Sequence, residues 1–141
     1  MRDITFCHPR LQHLAGQLIE ECGRQGLSIK IGETFRTVAE QDALFVQGRT
    51  KPGNIVTNAP GSNYSSYHQW GTAFDIYRND GAGAYNDSAL FFQRVGAIGM
   101  SLGLEWGGNW KSIVDKPHFQ LPDWGSSTVG IKKLFVHANR Y

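Results

Sequence analysis

The 141 residues carry little charge: 14 Lys and Arg stand against 12 Asp and Glu, a net of +2 with histidine neutral. There is no Lys/Arg run, so the chain lacks the basic footprint of a nucleic-acid binder. No apolar run approaches the ~20 residues that span a bilayer. The stretch Met1 to Pro9 has no apolar core, so it does not read as a secretory signal, and synthesis in the cytoplasm is expected. Only two cysteines occur, Cys7 and Cys22. They fit a reduced compartment, with a bridge between them left open. No repeat, linker or composition shift divides the chain.

What is present is apolar: 40% hydrophobic and 12% aromatic residues, too much for a disordered chain of such low net charge. The length expects one domain, residues 1–141, in monomeric form. Such a chain buries roughly two thirds of its unfolded surface and needs neither disulfide nor metal merely to fold.

Leu11, Leu14, Ala15, Leu18, Ile19 and Cys22 recur at helical spacing behind Pro9, and Gly23 and Gly26 suit the helix end. Ser28 to Phe35 reads as a strand. Thr37-Val-Ala-Glu40 is a capping box, which starts a second helix at Val38 that stops near Gly48. Arg49 to Tyr67 is a long loop, and such loops are usually functional or disordered. Thr72 to Tyr77 is a buried strand. A polar loop follows over Arg78 to Asp87. A helix carries Leu90, Phe91, Val95, Ile98 and Leu102. Leu104 to Trp110 reads as an aromatic turn, Pro117 to Leu121 as a strand and Ile131 to Val136 as a short helix. Helices and strands do not alternate strictly, so the fold class is α+β, a small antiparallel sheet flanked by helices.

Asp75 lies between Phe74 and Ile76 in a run that should be buried. A buried carboxylate costs several kcal/mol unless it is paired or bound to a metal. His118 lies in a second such strand, and His68 precedes the first by a short turn containing Gly71. Two histidines and one carboxylate are a common catalytic zinc set that leaves a fourth position for water. A satisfied core aspartate beside two ordinary histidines accounts for the same spacing.

Ser66-x-His68-x-x-Gly71-x-Ala73-x-Asp75, followed by Asp115-x-Pro117-His118-Phe119, resembles the zinc peptidases that include vancomycin-resistance D-alanyl-D-alanine carboxypeptidases and dipeptidases. It is most similar to the branch of L-alanyl-D-glutamate peptidases in phage endolysins and bacterial wall hydrolases, whose fold is shared with the Hedgehog signalling domain. Thr34-Phe-Arg36-Thr with Gln41, Gly48-Arg-Thr50, Gly53 to Ala59 and Trp106-Gly-Gly-Asn-Trp110 extend the likeness from about Ile31 to Leu121. The family more often has Gly where Thr34 stands and Tyr where Phe35 stands.

The resemblance implies one zinc ion on His68, Asp75 and His118, with Asp115 as the catalytic carboxylate and Arg36 facing the developing oxyanion. It implies substrate contacts from Ser66, Gln41 and Trp106. The expected partner is a peptidoglycan stem peptide, cleaved at the L-alanyl-D-glutamate bond. A D-alanyl-D-alanine carboxypeptidase and a non-catalytic zinc-binding module are the alternatives. Such an enzyme, made without a signal, is expected to reach the wall by holin-type release. The motifs leave only about 20 residues beyond them, too few for a separate wall-binding domain. Glu105 competes weakly with Asp115 for the base. Trp106 and Trp110 read either as groove walls or as rim packing. Asn79, Asp80, Asn86 and Asp87 miss the calcium-loop spacing and read as a solvated loop.

Overall fold

A computed structural model describes residues 1–125 and 127–138. Helix α1 (Pro9–Arg24) begins at Pro9, whose missing N–H falls among the unpaired amides of a first turn. His8 caps it, its Nδ1 accepting from the Arg10 amide at 3.1 Å. Leu11, Leu14, Ala15, Leu18 and Cys22 are buried, while Ile19, at the edge of the stripe, stays 39% exposed. Cys7 and Cys22 are free, buried thiols. Burial pushes each up to about 11.

Strand β1 (Ile29–Ile31) is shorter than the run that encodes it. Helix α2 (Val38–Val46) opens on the expected capping box: Thr37 Oγ1 accepts from the Glu40 amide at 3.2 Å, and Glu40 Oε1 accepts from the Thr37 amide at 3.1 Å. Then follow β2 (Ala73–Arg78), α3 (Phe91–Ser101), β3 (Glu105–Trp106), β4 (His118–Gln120) and α4 (Val129–Ala138). The four strands form one antiparallel sheet in the order β1-β2-β4-β3. This is the expected α+β architecture. Among the described residues no helix is long and apolar enough to cross a membrane.

Two local expectations change. Leu90 does not join the apolar face of α3; it sits at φ +57° before the helix and is 62% exposed. The aromatic turn begins only at Gly107, because Glu105 and Trp106 have already paired with β4.

The pleat divides the chemistry. Side chains alternate across a strand, and directly opposed residues share a face. Phe74 faces Phe119, and Trp106 faces Phe119 from the other side. These three lie on the core face with the apolar sides of α1 and α3. The Phe74 and Phe119 rings stack at 5.7 Å. Helix α3 comes close because it carries glycine at the contact. A Cβ on Gly96 would lie 2.4 Å from the Trp106 ring, and one on Gly99 would lie 2.4 Å from the Phe119 ring. The opposite face carries Asp75 opposed to His118, and Gln120 opposed to Glu105. That face lines a cleft.

Candidate metal centre and its cleft

The strand register brings Asp75 and His118 side by side. His68 joins them from the short 3-10 turn Tyr67–Trp70. This turn is tied to the chain between β1 and α2, where the Arg36 amide donates to the His68 carbonyl at 3.0 Å. His68 Nε2, His118 Nδ1 and Asp75 Oδ1 lie 3.2, 3.3 and 3.4 Å from one another. A tetrahedral ion with ligand bonds of about 2.0–2.2 Å sets its ligand atoms about 3.3 Å apart, so the triangle fits.

The outer ring nitrogens show why these three atoms face inward as acceptors. His68 Nδ1–H donates to the Thr34 carbonyl at 2.7 Å, and a carbonyl can only accept. His118 Nε2–H donates to Gln120 Oε1 at 2.7 Å. Each neutral ring therefore points a lone pair at the same place as Asp75 Oδ1. That oxygen is buried without a hydrogen-bond partner. Three converging acceptors with no donor call for a cation.

The charges agree. Burial alone would raise the Asp75 carboxyl, but His68 and His118 overcome it and hold Asp75 well below the usual carboxylate range. Burial pushes His68 down, more strongly than Asp75 lifts it. For His118, burial is outweighed by Asp75 and Asp115, and the ring is pushed up. Asp115 Oδ2 lies 3.8 Å from His118 Nδ1 with its side chain 40% exposed. Withdrawal from solvent, then the charge of Asp75, push Asp115 up, the direction that suits a proton-transfer group. Its backbone is held by Gly107, whose carbonyl accepts from the Asp115 amide at 3.0 Å. A Cβ on Gly107 would meet the Asp115 carbonyl oxygen at 2.4 Å, so the close approach needs glycine there.

Arg36 is mostly buried and reaches Asp75 Oδ2 at 3.5 Å and Gln41 Oε1 at 3.2 Å. Its Nε is buried without a partner. The cleft above the site has a volume of about 1070 Å³ and is walled by the 55–59 and 110–115 loops, with Arg36, Ser66 and Tyr85.

Two substrate contacts expected from the sequence fall elsewhere. Gln41 is 0% exposed and sits behind Arg36, donating to the Ala59 carbonyl at 2.9 Å. Trp106 lies on the core face, because β3 pairs it with Phe119, and its Nε1 donates to the Lys116 carbonyl at 2.7 Å. Trp110 takes the wall position instead, its ring 4.7 Å from that of His118. Ser66 lines the cleft. Sequence reasoning passes over Gln120 and the Thr34 carbonyl. Gln120 has a signal: it stands two residues after His118 in a strand, and so shares its face. The Thr34 carbonyl has none.

Comparison with known proteins bears on this arrangement. A family model described as D-alanyl-D-alanine carboxypeptidase matches residues 60–121, the span that holds His68, Asp75, Asp115 and His118. The peptidoglycan L-alanyl-D-glutamate endopeptidase CwlK of Bacillus subtilis is 39% identical over 124 residues, covering 81% of this chain and 72% of that protein. The chain belongs to this peptidase family. Another family member, the L-alanyl-D-glutamate peptidase of Listeria phage A118, is 31% identical over 122 residues. That match covers 82% of the chain but only 39% of the phage protein. Among solved structures, the Serratia marcescens L-Ala D-Glu endopeptidase ChiX shares the family fold with a TM-score of 0.62 at 21% identity, covering 87% of each chain. The vancomycin-resistance D,D-pentapeptidase VanY, solved in complex with Zn(II), gives a TM-score of 0.59 at 16% identity, covering 82% of this chain and 72% of that one.

Proposed function

We propose that the chain is a zinc peptidase that hydrolyses peptidoglycan stem peptides at the L-alanyl-D-glutamate bond. The observation that carries the reading is the inward triangle of His68, Asp75 and His118 at the floor of an open cleft, with Asp115 beside it. The choice of bond is supported by the likeness to CwlK. His68 Nε2, His118 Nδ1 and Asp75 Oδ1 would hold the ion. When bound, zinc makes a nucleophile of water near neutral pH and polarises a peptide carbonyl.

The protein's own groups do the rest. Asp115 takes the proton from the attacking water and delivers it to the leaving amine. Arg36 faces the carbonyl oxygen as negative charge develops, with Gln41 and Asp75 holding the guanidinium in place. Thr34 and Gln120 keep the two imidazoles in the tautomers the site needs. Ser66 and Trp110 bound the space where the peptide lies. The setting we propose is monomeric action at the cell wall after holin-type release; one relative is a phage protein.

Digestion of purified peptidoglycan tests the proposal. New D-glutamyl or isoglutaminyl amino termini support it. Free D-alanine as the sole product would move the chain to carboxypeptidase action. No product from the zinc-loaded protein would leave a metal-binding module.

A further inference from the structure

Glu105 lines the cleft and is a rival for the role of base on sequence alone. Its contacts give it another role. Glu105 stands directly opposite Gln120 in the β3–β4 register, and its Oε2 accepts from Gln120 Nε2 at 3.0 Å. The amide oxygen of the same Gln120 accepts from His118 Nε2–H at 2.7 Å. A run of two hydrogen bonds thus leads from Glu105 to a metal ligand.

A glutamine amide has two faces of opposite character. Turned the other way, Gln120 would present N–H to His118 Nε2. That nitrogen would then have to accept, and the ring proton would move to Nδ1. There it would point at His68 and Asp75 and occupy the direction the ion needs. Gln120 is 2% exposed, so solvent is poorly placed to set its orientation. An ionised carboxylate only accepts, so Glu105 admits one orientation of the amide. His68 needs no such control, because its outer nitrogen meets a backbone carbonyl.

We propose that Glu105 is a positioning residue for the metal site: by orienting the Gln120 amide it holds His118 in the tautomer that offers Nδ1 to the ion. The inference rests on the metal-site reading given above.

The test measures zinc affinity on the metal-free protein by competition with a chromophoric chelator. Glu105→Ala should weaken zinc binding on the order of tenfold to a hundredfold, the usual loss for a group behind a ligand. Glu105→Gln keeps an oxygen that can accept but gains an N–H that also admits the reversed amide, so it should recover only part of that loss. Gln120→Met should weaken binding similarly, and adding Glu105→Ala to it should cost nothing further, because the two act through one bond. In the zinc-loaded protein, the His118 Nε2–H proton should be slow to exchange in wild type and Glu105→Gln, and exchange fast in Glu105→Ala. Thermal unfolding of the metal-free variants checks that each is folded. Wild-type affinity in Glu105→Ala overturns the inference. Equal losses in the Ala and Gln variants also overturn it, by assigning the effect to charge alone. A wild-type protein that binds no zinc would instead overturn the metal-site reading.

Discussion

His68 Nε2 and His118 Nδ1 approach to 3.2 Å although each ring's other nitrogen is already engaged as a donor. Two lone pairs repel at that distance unless a proton or a cation lies between them. Chelation should abolish hydrolysis, and added zinc should restore it. Zinc at a hundred times its Kd should stabilise the fold by about 2.7 kcal/mol, read as a rise in Tm. His118→Ala should lose that rise together with the metal. Stoichiometric zinc retained by His118→Ala would refute the ligand assignment.

Asp115 stands beside the triangle and outside it. Asp115→Ala should keep one zinc per chain while kcat/KM falls roughly 10²- to 10⁴-fold, the range for loss of a general acid–base. Unchanged hydrolysis would remove it from the mechanism.

Arg36 is expected to act through both its charge and its fork. Arg36→Ala should lose about 3 kcal/mol of transition-state stabilisation, on the order of a hundredfold in kcat/KM. Arg36→Lys should restore little, because a lysine cannot span Gln41 Oε1 and Asp75 Oδ2 and still face the substrate. Full activity in the lysine variant would show that charge alone suffices.

Two helix glycines should behave oppositely. Gly99→Ala drives a methyl group into the Phe119 ring and should destabilise by about 1–3 kcal/mol. Gly16 lies on the exposed side of α1, where an added Cβ would meet nothing within 4 Å. Gly16→Ala should therefore stabilise by about 0.5–1 kcal/mol. Denaturant melts at fixed zinc concentration measure both; a stabilising Gly99→Ala would contradict the packing of α3, and a destabilising Gly16→Ala the open space beside α1.

Asp87 joins α3 to the loop that carries Asp115. Its Oδ2 accepts from Lys116 Nζ at 2.7 Å and its Oδ1 from the Phe92 amide at 2.9 Å. The Lys116 bond, then the amide, hold it below its ordinary value of 3.8. A lowered carboxyl binds fewer protons in the folded state, so its contribution is present above the unfolded value and is lost as pH falls through the folded one. Asp87→Asn keeps an oxygen for the amide and loses the charge. Its stability deficit should therefore be full near neutral pH and shrink below 3.8. A deficit that grows on acidification would reverse the assignment.

Much of the site is legible before folding. Asp75 between Phe74 and Ile76, and His118 before Phe119, announce polar groups on buried strands, and the strand period puts Gln120 on the face of His118. The segment Trp106 to Trp110 shows where this stops. Either tryptophan could wall the cleft from its sequence context. The β3 register sends Trp106 to the core against Phe119 and leaves Trp110 against His118.

The residue pattern alone determined the α+β class, the capping box of α2 and the apolar face of α1, because each is set by local spacing, while the three proposed ligand residues came from the motif resemblance. Which atom of each proposed ligand faces the centre of the triangle was decided only in three dimensions. That choice depends on a carbonyl at Thr34 and an amide at Gln120, brought to the rings by chain segments distant in sequence or by cross-strand pairing. The role of Glu105 was decided the same way: it faces the site through Gln120, across a hairpin whose register no periodicity encodes.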